Sequence, residues 1–332
     1  MDDRSKTGIP KGVFDNTFQN GKRMLGLHDN ILNYFNELNA SAFFANASIP
    51  DAASVARLVD TLKEIVFPGH FASPHEACMS LERRIGSLLR SLLDMLADQI
   101  VRTMRHDCLS AGSPCDACRQ TAYTGAGKLL NSIPRVRRVL QSDVQAFYEG
   151  DPAAKSHDEI IFCYPGFHAI FVYRFAHRLH GMGVPLLPRI MTEYAHGITG
   201  IDIHPGARIG EGFVIDHGTG VVIGETTRIG KNVRIYQGVT IGALSVPKDQ
   251  CDSLRGKKRH PTIGDDVIIY SGATILGGKT FIGARSVIGG NVWITRSVRP
   301  DSVVMMEPFQ LKILPRDARK KAGQEEDGHG NS

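Results

Sequence analysis

Three short motifs in the C-terminal half of the sequence place histidine next to a charged residue or close to one. They are IDIHPGA with Asp202 and His204, IDHGTG with Asp216 and His217, and KKRHP with Arg259 and His260. A histidine beside a carboxylate can act as general base toward a hydroxyl group, because the carboxylate fixes its tautomer and stabilises the imidazolium. A histidine at a turn is also an ordinary solvated residue, so the surrounding pattern has to decide.

The motifs lie in a region where aliphatic residues recur every six positions. The fourteen anchors are Ile203, Ile209, Ile215, Val221, Ile223, Ile229, Ile235, Ile241, Ile263, Ile269, Ile275, Ile282, Ile288 and Ile294. A triangular coil of three short parallel strands needs one buried aliphatic residue per six-residue strand and turn. The sequence therefore predicts a left-handed parallel β-helix from about Ile201 to Val298.

The residues before the coils are predicted to be helical. Apolar residues between Ser80 and Cys108 recur at three and four positions, which is typical of an amphipathic helix. Residues 111–124 are rich in Gly, Pro and Cys and are expected to be a loop. Further helices are expected near 22–38, 143–148, 166–180 and 186–196.

The predicted fold class is α+β, with three regions. Residues 1–200 form a helical domain whose first 20 or so residues are disordered, and 201–300 form the β-helix domain with a protruding loop at 245–261. Residues 301–332 form an extension and a disordered tail. A long loop in a regular solenoid is either functional or a tolerated insertion, and both interpretations stay open.

Composition excludes some partners. The chain has 332 residues and a net charge of +5, without a dense run of Lys and Arg, so we expect anionic small ligands and no nucleic acid. The first residues lack the pattern of a secretory signal, and no apolar run reaches the roughly 20 residues that span a bilayer. We therefore expect a cytoplasmic protein that does not bind membranes.

Six cysteines are expected to be reduced in that compartment. Cys108, Cys115 and Cys118 form a C-x6-C-x2-C pattern, with Cys78 and His106 upstream. The spacing leaves spare thiols, a metal site and a redox role open, but a second C-x-x-C pair is lacking and no metal is expected.

The combined motifs resemble the serine acetyltransferases. The resemblance rests on GIDIHPGARIGEGFVIDHGTGVVIGETTRIGKNVRIYQGVTIGA, on RHPTIGDDV, and on DVQAFYEGDPAA followed by YPGFHAIFVYRFAH, and it covers about 143–314. It implies direct transfer of acetyl from acetyl-CoA to L-serine, giving O-acetylserine, the first step of cysteine biosynthesis.

The resemblance also implies roles for individual residues. His217 is the general base and Asp202 its carboxylate partner; Asp151 and Asp216 hold the substrate ammonium; Arg259 and His260 bind its carboxylate; Gly242 and Ala243 line the acetyl-CoA groove. A homotrimer or a dimer of trimers is implied, and so is feedback inhibition by cysteine as a point to test. Many family members have a second glycine where this chain has Ala243, and their loop is shorter.

Three other functions are compatible with parts of the sequence. An acetyltransferase for a sugar or xenobiotic hydroxyl would not need both Asp151 and Arg259. A zinc-dependent hydratase would bind its metal through His204, His217 and His260 across a trimer interface. A non-catalytic scaffold would have no use for Asp202, His217 and Arg259 together.

The tail carries a further expectation. In many serine acetyltransferases a terminal isoleucine enters the active site of O-acetylserine sulfhydrylase, whereas this chain ends in Ser332. Without about 2 kcal/mol from a buried isoleucine, we expect no tail-mediated complex. Titration of that enzyme with a peptide of the last ten residues tests this.

Overall fold

The computed structural model describes residues 50–71, 80–107, 116–245 and 251–307. The chain divides into two compact units, one within residues 1–133 and 178–190 and the other within 134–177 and 191–332. Several expectations lie outside the described residues: the helix near 22–38, the disorder of both termini, and the roles of Cys78, Cys108 and Cys115.

The first unit is helical. Helix α1, Ala52–Val66, begins at Asp51, whose carboxylate accepts the Ser54 backbone N–H at 2.8 Å, a normal N-cap. It packs against α2, Leu81–Asp107. The predicted amphipathic helix is thus confirmed, since Leu92, Leu96 and Ile100, spaced four apart, are buried on one face of α2.

The expected loop at 111–124 is wrong for its second half. Helix α3 runs from Asp116 to Gly150 and continues through Pro134. Ala122, Ala126 and Leu129 recur at four and three positions and are buried, so tertiary packing outweighs the local Gly and Cys content. The next helices are α4, His157–Cys163, which was not predicted, then α5, Pro165–Gly181, and α6, Leu187–Thr199.

The described part of the coils contains fourteen short strands, and all their pairings are parallel. They are β1 Asp202–Ile203, β2 Arg208–Ile209, β3 Val214–Ile215, β4 Val222–Ile223, β5 Arg228–Ile229, β6 Arg234–Ile235, β7 Thr240–Gly242, β8 Thr262–Ile263, β9 Ile268–Ile269, β10 Thr274–Leu276, β11 Phe281–Ile282, β12 Val287–Ile288, β13 Trp293–Ile294 and β14 Val303–Val304. Sheet A has the order β1-β4-β7-β10-β13, sheet B β11-β8-β5-β2 and sheet C β14-β12-β9-β6-β3. This is the predicted left-handed parallel β-helix.

The anchor pattern is nearly as predicted. The anchor isoleucine of each strand from β1 to β13 is buried except Ile209 of β2, which is partly exposed. Val221 is buried but lies in the turn before β4, and Ile223 is the anchor of that strand. The two-residue slip in the period is thus an enlarged corner. The long loop contains a short helix α7, Cys251–Leu254, and residues 246–250 of it are not described.

A buried ion pair joins two helices of the second unit to the first coil. Arg174 of α5 binds both carboxylate oxygens of Asp143 in α3, at 2.8 and 3.0 Å. The same guanidinium donates to the Ile209 carbonyl at 2.7 Å, and Asp143 accepts the Phe213 backbone N–H at 2.9 Å. Because both charged groups have hydrogen-bond partners, the ion pair fixes the C-terminal end of α3 against the coil. The candidate site residues lie next to this end of α3.

Candidate active site at two edges of sheet A

His217 occupies an unusual backbone conformation. Its φ is +56°, and the Gly218 N–H donates to the Asp216 carbonyl across it at 2.6 Å. Left-handed backbone at the neighbouring corner positions falls on Gly220, Gly238 and Asn291, which tolerate it, whereas a histidine there costs about 1 kcal/mol or more. Backbone strain of this kind often occurs where a functional side chain has to point toward a ligand. The His217 imidazole is 76% exposed in the single chain, so it is accessible to a substrate.

Asp151 lies just beyond the end of α3 and is held by two donors. Tyr164 donates its hydroxyl to Oδ2 at 2.6 Å, and the Ala153 backbone N–H donates to Oδ1 at 2.8 Å. These hydrogen bonds, the Tyr164 one first, hold the pKa of Asp151 below its usual value, and the charges of Arg234 and His217 act in the same direction. The same contact raises the pKa of Tyr164, so Asp151 stays ionised and Tyr164 stays protonated.

Asp216 is the second carboxylate in this region. Its Oδ1 lies 3.7 Å from His217 Nδ1, and its Oδ2 lies 3.6 Å from Nη1 of Arg234. Asp216 and Asp151 both contribute to the raised pKa of Tyr164, which places both carboxylates within electrostatic range of one hydroxyl. We call Asp151, Tyr164, Asp216, His217 and Arg234 the base cluster; it lies where sheet C turns into sheet A.

Asp202 opens β1 at the same edge of sheet A. Its carboxylate and ligand atoms of Glu193 and His196 all lie within 4.8 Å of one another, and His196 Nδ1 is 3.2 Å from Glu193. Metal analysis of the purified protein checks the expectation that this group holds no ion. The pairing of Asp202 with His217 stays a prediction.

Arg259 and His260 lie at the opposite edge, where sheet A turns into sheet B. Thr226, in the turn after β4, organises them: its hydroxyl oxygen accepts the backbone N–H groups of Arg259 and His260 at 2.9 and 3.1 Å. The Thr226 carbonyl accepts from Lys258 at 2.8 Å. The end of the long loop is therefore fixed to the coil, so that part of the loop belongs to the site.

His260 is held in one tautomer. The backbone N–H of Thr226 donates to Nδ1 at 3.1 Å, and the Thr226 hydroxyl lies 2.8 Å from the same atom. Since Nδ1 accepts from a backbone N–H, the ring proton is on Nε2. Burial, and then the charge of Arg259, lower the His260 pKa to about 4. A side chain at Gly224 would overlap the ring, so glycine there makes room for a neutral hydrogen-bond donor.

The two terminal nitrogens of the Arg259 guanidinium have different surroundings. One terminal nitrogen, Nη2, forms an ion pair with Glu225. The other, Nη1, is buried and has no hydrogen-bond partner among the described residues. A buried unpaired donor is costly, so a carboxylate that reached Nη1 would be bound favourably. Arg259, His260, Glu225 and Thr226 form what we call the anion cluster.

Gly242 and Ala243 lie at the same edge as the anion cluster. Gly242 ends β7 beside Leu276 of β10 and accepts the Gly277 N–H at 3.1 Å. A Cβ on Gly242 would lie 2.9 Å from the Leu276 side chain. Because Gly242 has no side chain, the space beside Leu276 at the end of β7 is not filled. This is compatible with the acetyl-CoA groove predicted there.

Comparison with known proteins decides the family. The sequence profile "Serine acetyltransferase, N-terminal" matches residues 89–171. A plasmid-encoded serine acetyltransferase of Synechococcus elongatus is 48% identical over 261 residues, covering 77% of this chain and 81% of that protein. The serine acetyltransferase of Mycobacterium tuberculosis is 47% identical over 52% of this chain and 71% of its own length. The chain belongs to the serine acetyltransferase family.

Solved structures agree. Serine acetyltransferase 1 of Entamoeba histolytica in complex with L-cysteine is 39% identical, with a TM-score of 0.65 over 80% of this chain and 92% of that one. The Neisseria gonorrhoeae serine acetyltransferase in complex with serine is 29% identical, with a TM-score of 0.50 over 76% and 95%. The predicted family, fold and acetyl transfer to serine are confirmed. The profile starts at 89, so the likeness reaches further upstream than the motifs from 143 onward indicate.

Sequence reasoning missed four members of the two clusters. Tyr164 and Arg234 complete the base cluster, and Glu225 and Thr226 complete the anion cluster. All four stand inside the motif runs quoted above, at YPGF, VRIY and GETT. Their roles depend on contacts between distant parts of the chain, which the motifs alone do not reveal.

Proposed function

We propose that His217 is the general base of serine acetyltransfer. It would take the proton of the serine hydroxyl as the oxygen attacks the thioester carbonyl of acetyl-CoA, forming a tetrahedral intermediate. Collapse breaks the C–S bond, and the imidazolium returns the proton to the CoA thiolate. The observation that carries this role is the exposed imidazole, held in left-handed backbone next to Asp216. Asp202 is proposed as its carboxylate partner.

The two clusters suit the two charged groups of serine. Asp151 and Asp216 in the base cluster would bind the ammonium. Nη1 of Arg259 and the Nε2–H of His260 would donate to the carboxylate. The low pKa of His260 does not prevent this, because the neutral imidazole still carries the Nε2 proton. Acetyl-CoA would lie along the end of β7 at Gly242 and Ala243, on the side of the anion cluster.

The separation of the clusters supports a site shared between chains. One edge of sheet A is about five residues from the other, which is roughly 16 Å at about 3.3 Å per residue. One serine molecule does not span that distance, whereas the base cluster of one copy can face the anion cluster of its neighbour around a threefold axis. We propose a homotrimer, or a dimer of trimers, with three such sites per trimer.

Cysteine is proposed as a competitive inhibitor. It carries the same ammonium and carboxylate as serine, so both clusters would bind it, and the Entamoeba relative was solved with L-cysteine bound. Inhibition should raise the apparent KM for serine without lowering kcat.

Release of CoA thiol tests the proposed function. Purified protein is mixed with acetyl-CoA and, separately, with serine, homoserine and a galactoside. CoA release that is faster with serine than with homoserine or the galactoside supports the assignment. Release with the galactoside alone would identify a sugar acetyltransferase.

The described part of the chain contains no helix with the length and apolar character for crossing a membrane. The cytoplasmic location belongs to this proposal, and the same assay on cell fractions tests it.

A further inference from the structure

Arg234 is a charged residue that the coil does not require. It opens β6 in sheet C, where its neighbours in register are Val214 of β3 and Ile268 of β9. Its side chain is only 13% exposed. Placing a guanidinium between two aliphatic residues costs free energy that an apolar residue would avoid, so its presence calls for another explanation.

The guanidinium points at the base cluster. Nη2 donates to the Ala146 carbonyl near the end of α3 at 3.0 Å. Nη1 lies 3.6 Å from Asp216 Oδ2 and makes no hydrogen bond within the described residues. A Cβ on Gly150 would overlap the guanidinium, so the glycine at the end of α3 leaves the space that Arg234 fills.

The charges in this region explain what the arginine does. Asp151 and Asp216 both act on the Tyr164 hydroxyl, and two negative charges in one region repel each other. Arg234 adds one positive charge, and its field helps to lower the pKa of Asp151. Two carboxylates and one guanidinium leave a net charge of minus one, which one ammonium neutralises.

We propose that Arg234 is a positioning residue for the amino group of serine, which holds the Asp216 carboxylate in place within the base cluster. The inference rests on the proposed function, in which these two carboxylates bind the ammonium. Other titratable groups facing them are His217 beside Asp216, Tyr164 on Asp151, and Glu159, whose charge also acts on Tyr164.

The variant Arg234→Met tests the proposal through the pH dependence of KM. Without the guanidinium the Asp216 carboxylate loses its ion-pair partner, so the KM for serine should rise about tenfold. The pKa of Asp151 should also rise because the charge of Arg234 is lost, so the KM should increase further as pH falls. At each pH, the KM for acetyl-CoA and the kcat of the variant should both differ from the wild-type values by less than about twofold. Arg234→Lys should restore part of the loss. Arg208→Met, on sheet B, is the matched control and should behave as wild type.

Two further variants separate positioning from a structural role. At about pH 8, where Asp151 is ionised with or without Arg234, the KM of Arg234→Met combined with Asp216→Asn should be no worse than that of Asp216→Asn alone, because Arg234 then acts through that carboxylate. Gly150→Ala should displace the guanidinium and reproduce the KM change with Arg234 still present. Additive effects in the double variant, or a pH profile of Arg234→Met parallel to wild type, would overturn the inference. Wild-type protein that fails to acetylate serine would instead overturn the proposed function.

Discussion

The backbone N–H of Thr226 donates to Nδ1 of His260 at 3.1 Å, although the two residues are 34 positions apart. This contact assigns the ring proton to Nε2 and, with burial, favours the neutral imidazole. His260 is therefore a hydrogen-bond donor throughout the neutral range, and the general base has to be another residue, which agrees with His217.

The low pKa of His260 predicts a loss of stability in mild acid. Its pKa falls from 6.5 to about 4 on folding, so the unfolded chain takes up this proton first as pH decreases. The contribution to stability is complete above about 6.5 and is lost progressively toward 4. His260→Asn keeps an acceptor for Thr226 and cannot titrate, so its free energy of unfolding in urea should fall less over this window. An equal fall in both proteins would show that other groups are responsible.

Removal of the Tyr164 hydroxyl should weaken serine binding. Tyr164→Phe takes from Asp151 its hydroxyl donor at 2.6 Å, and a hydrogen bond to a charged group contributes about 1.5 kcal/mol or more. The KM for serine should rise about tenfold, and more at low pH because the Asp151 pKa rises. Steady-state kinetics measure this, with Tyr148→Phe as control; an unchanged KM would remove Asp151 from ammonium binding.

Replacement of His217 should separate catalysis from stability. His217→Asn keeps a residue that tolerates left-handed backbone, so thermal unfolding should occur at or above the wild-type temperature. Turnover should fall by about 10² to 10⁴ because the base is lost. Asn232→Ala is the converse control: its φ is +55°, so it should lose about 1 kcal/mol of stability and keep its activity. Turnover of His217→Asn within a few-fold of wild type would exclude His217 as the base.

Arginine at 259 should not be replaceable by lysine. Nη2 pairs with Glu225, whereas Nη1 has no hydrogen-bond partner among the described residues, and a single ammonium group does not reproduce this planar arrangement. Arg259→Lys should raise the KM for serine more than that for acetyl-CoA. Arg228→Lys, an exposed arginine on β5, is the control. Equal effects on both substrates would contradict a carboxylate-binding role.

The fold was predictable where the pattern is local. Each six-residue repeat carries its own anchor, and the repeats are independent, so one displaced residue such as Val221 does not disturb the rest. The helix from Asp116 was missed because Gly and Cys content argued for a loop, whereas burial of Ala122 and Ala126 in the first unit decides its structure.

The site was predictable only in part because its contacts are long-range. Motifs identified His217, Asp151 and the Arg259–His260 pair. The Asp151–Tyr164 contact joins residues 13 positions apart, and Arg234 donates to a carbonyl 88 positions away. A single sequence contains no spacing rule for such pairs, since the coil stacking and helix ends that bring them together are properties of the folded chain.

Mixed oligomers provide the most direct test of a site shared between chains. The base cluster and the anion cluster lie at opposite edges of sheet A, so His217→Ala and Arg259→Ala should each inactivate a different half of the same intermolecular site. In trimers assembled from equal amounts of the two inactive chains, a site is intact when an Arg259→Ala chain supplies the base cluster and a His217→Ala chain supplies the anion cluster. Random assembly gives this arrangement in about one quarter of the sites, as the product of two probabilities of about one half.

The expected result is serine-dependent CoA release at about one quarter of the wild-type rate after co-expression or co-refolding, and almost none when the two variants are purified separately and mixed without exchange. The control combines His217→Ala with His217→Asn, two changes at the same residue; their mixed oligomers should remain inactive, because every base cluster lacks the histidine. If both clusters of one chain served a single site, no mixture would contain an undamaged copy. Persistent inactivity of the first mixture, with trimers confirmed by light scattering, would therefore contradict the shared site.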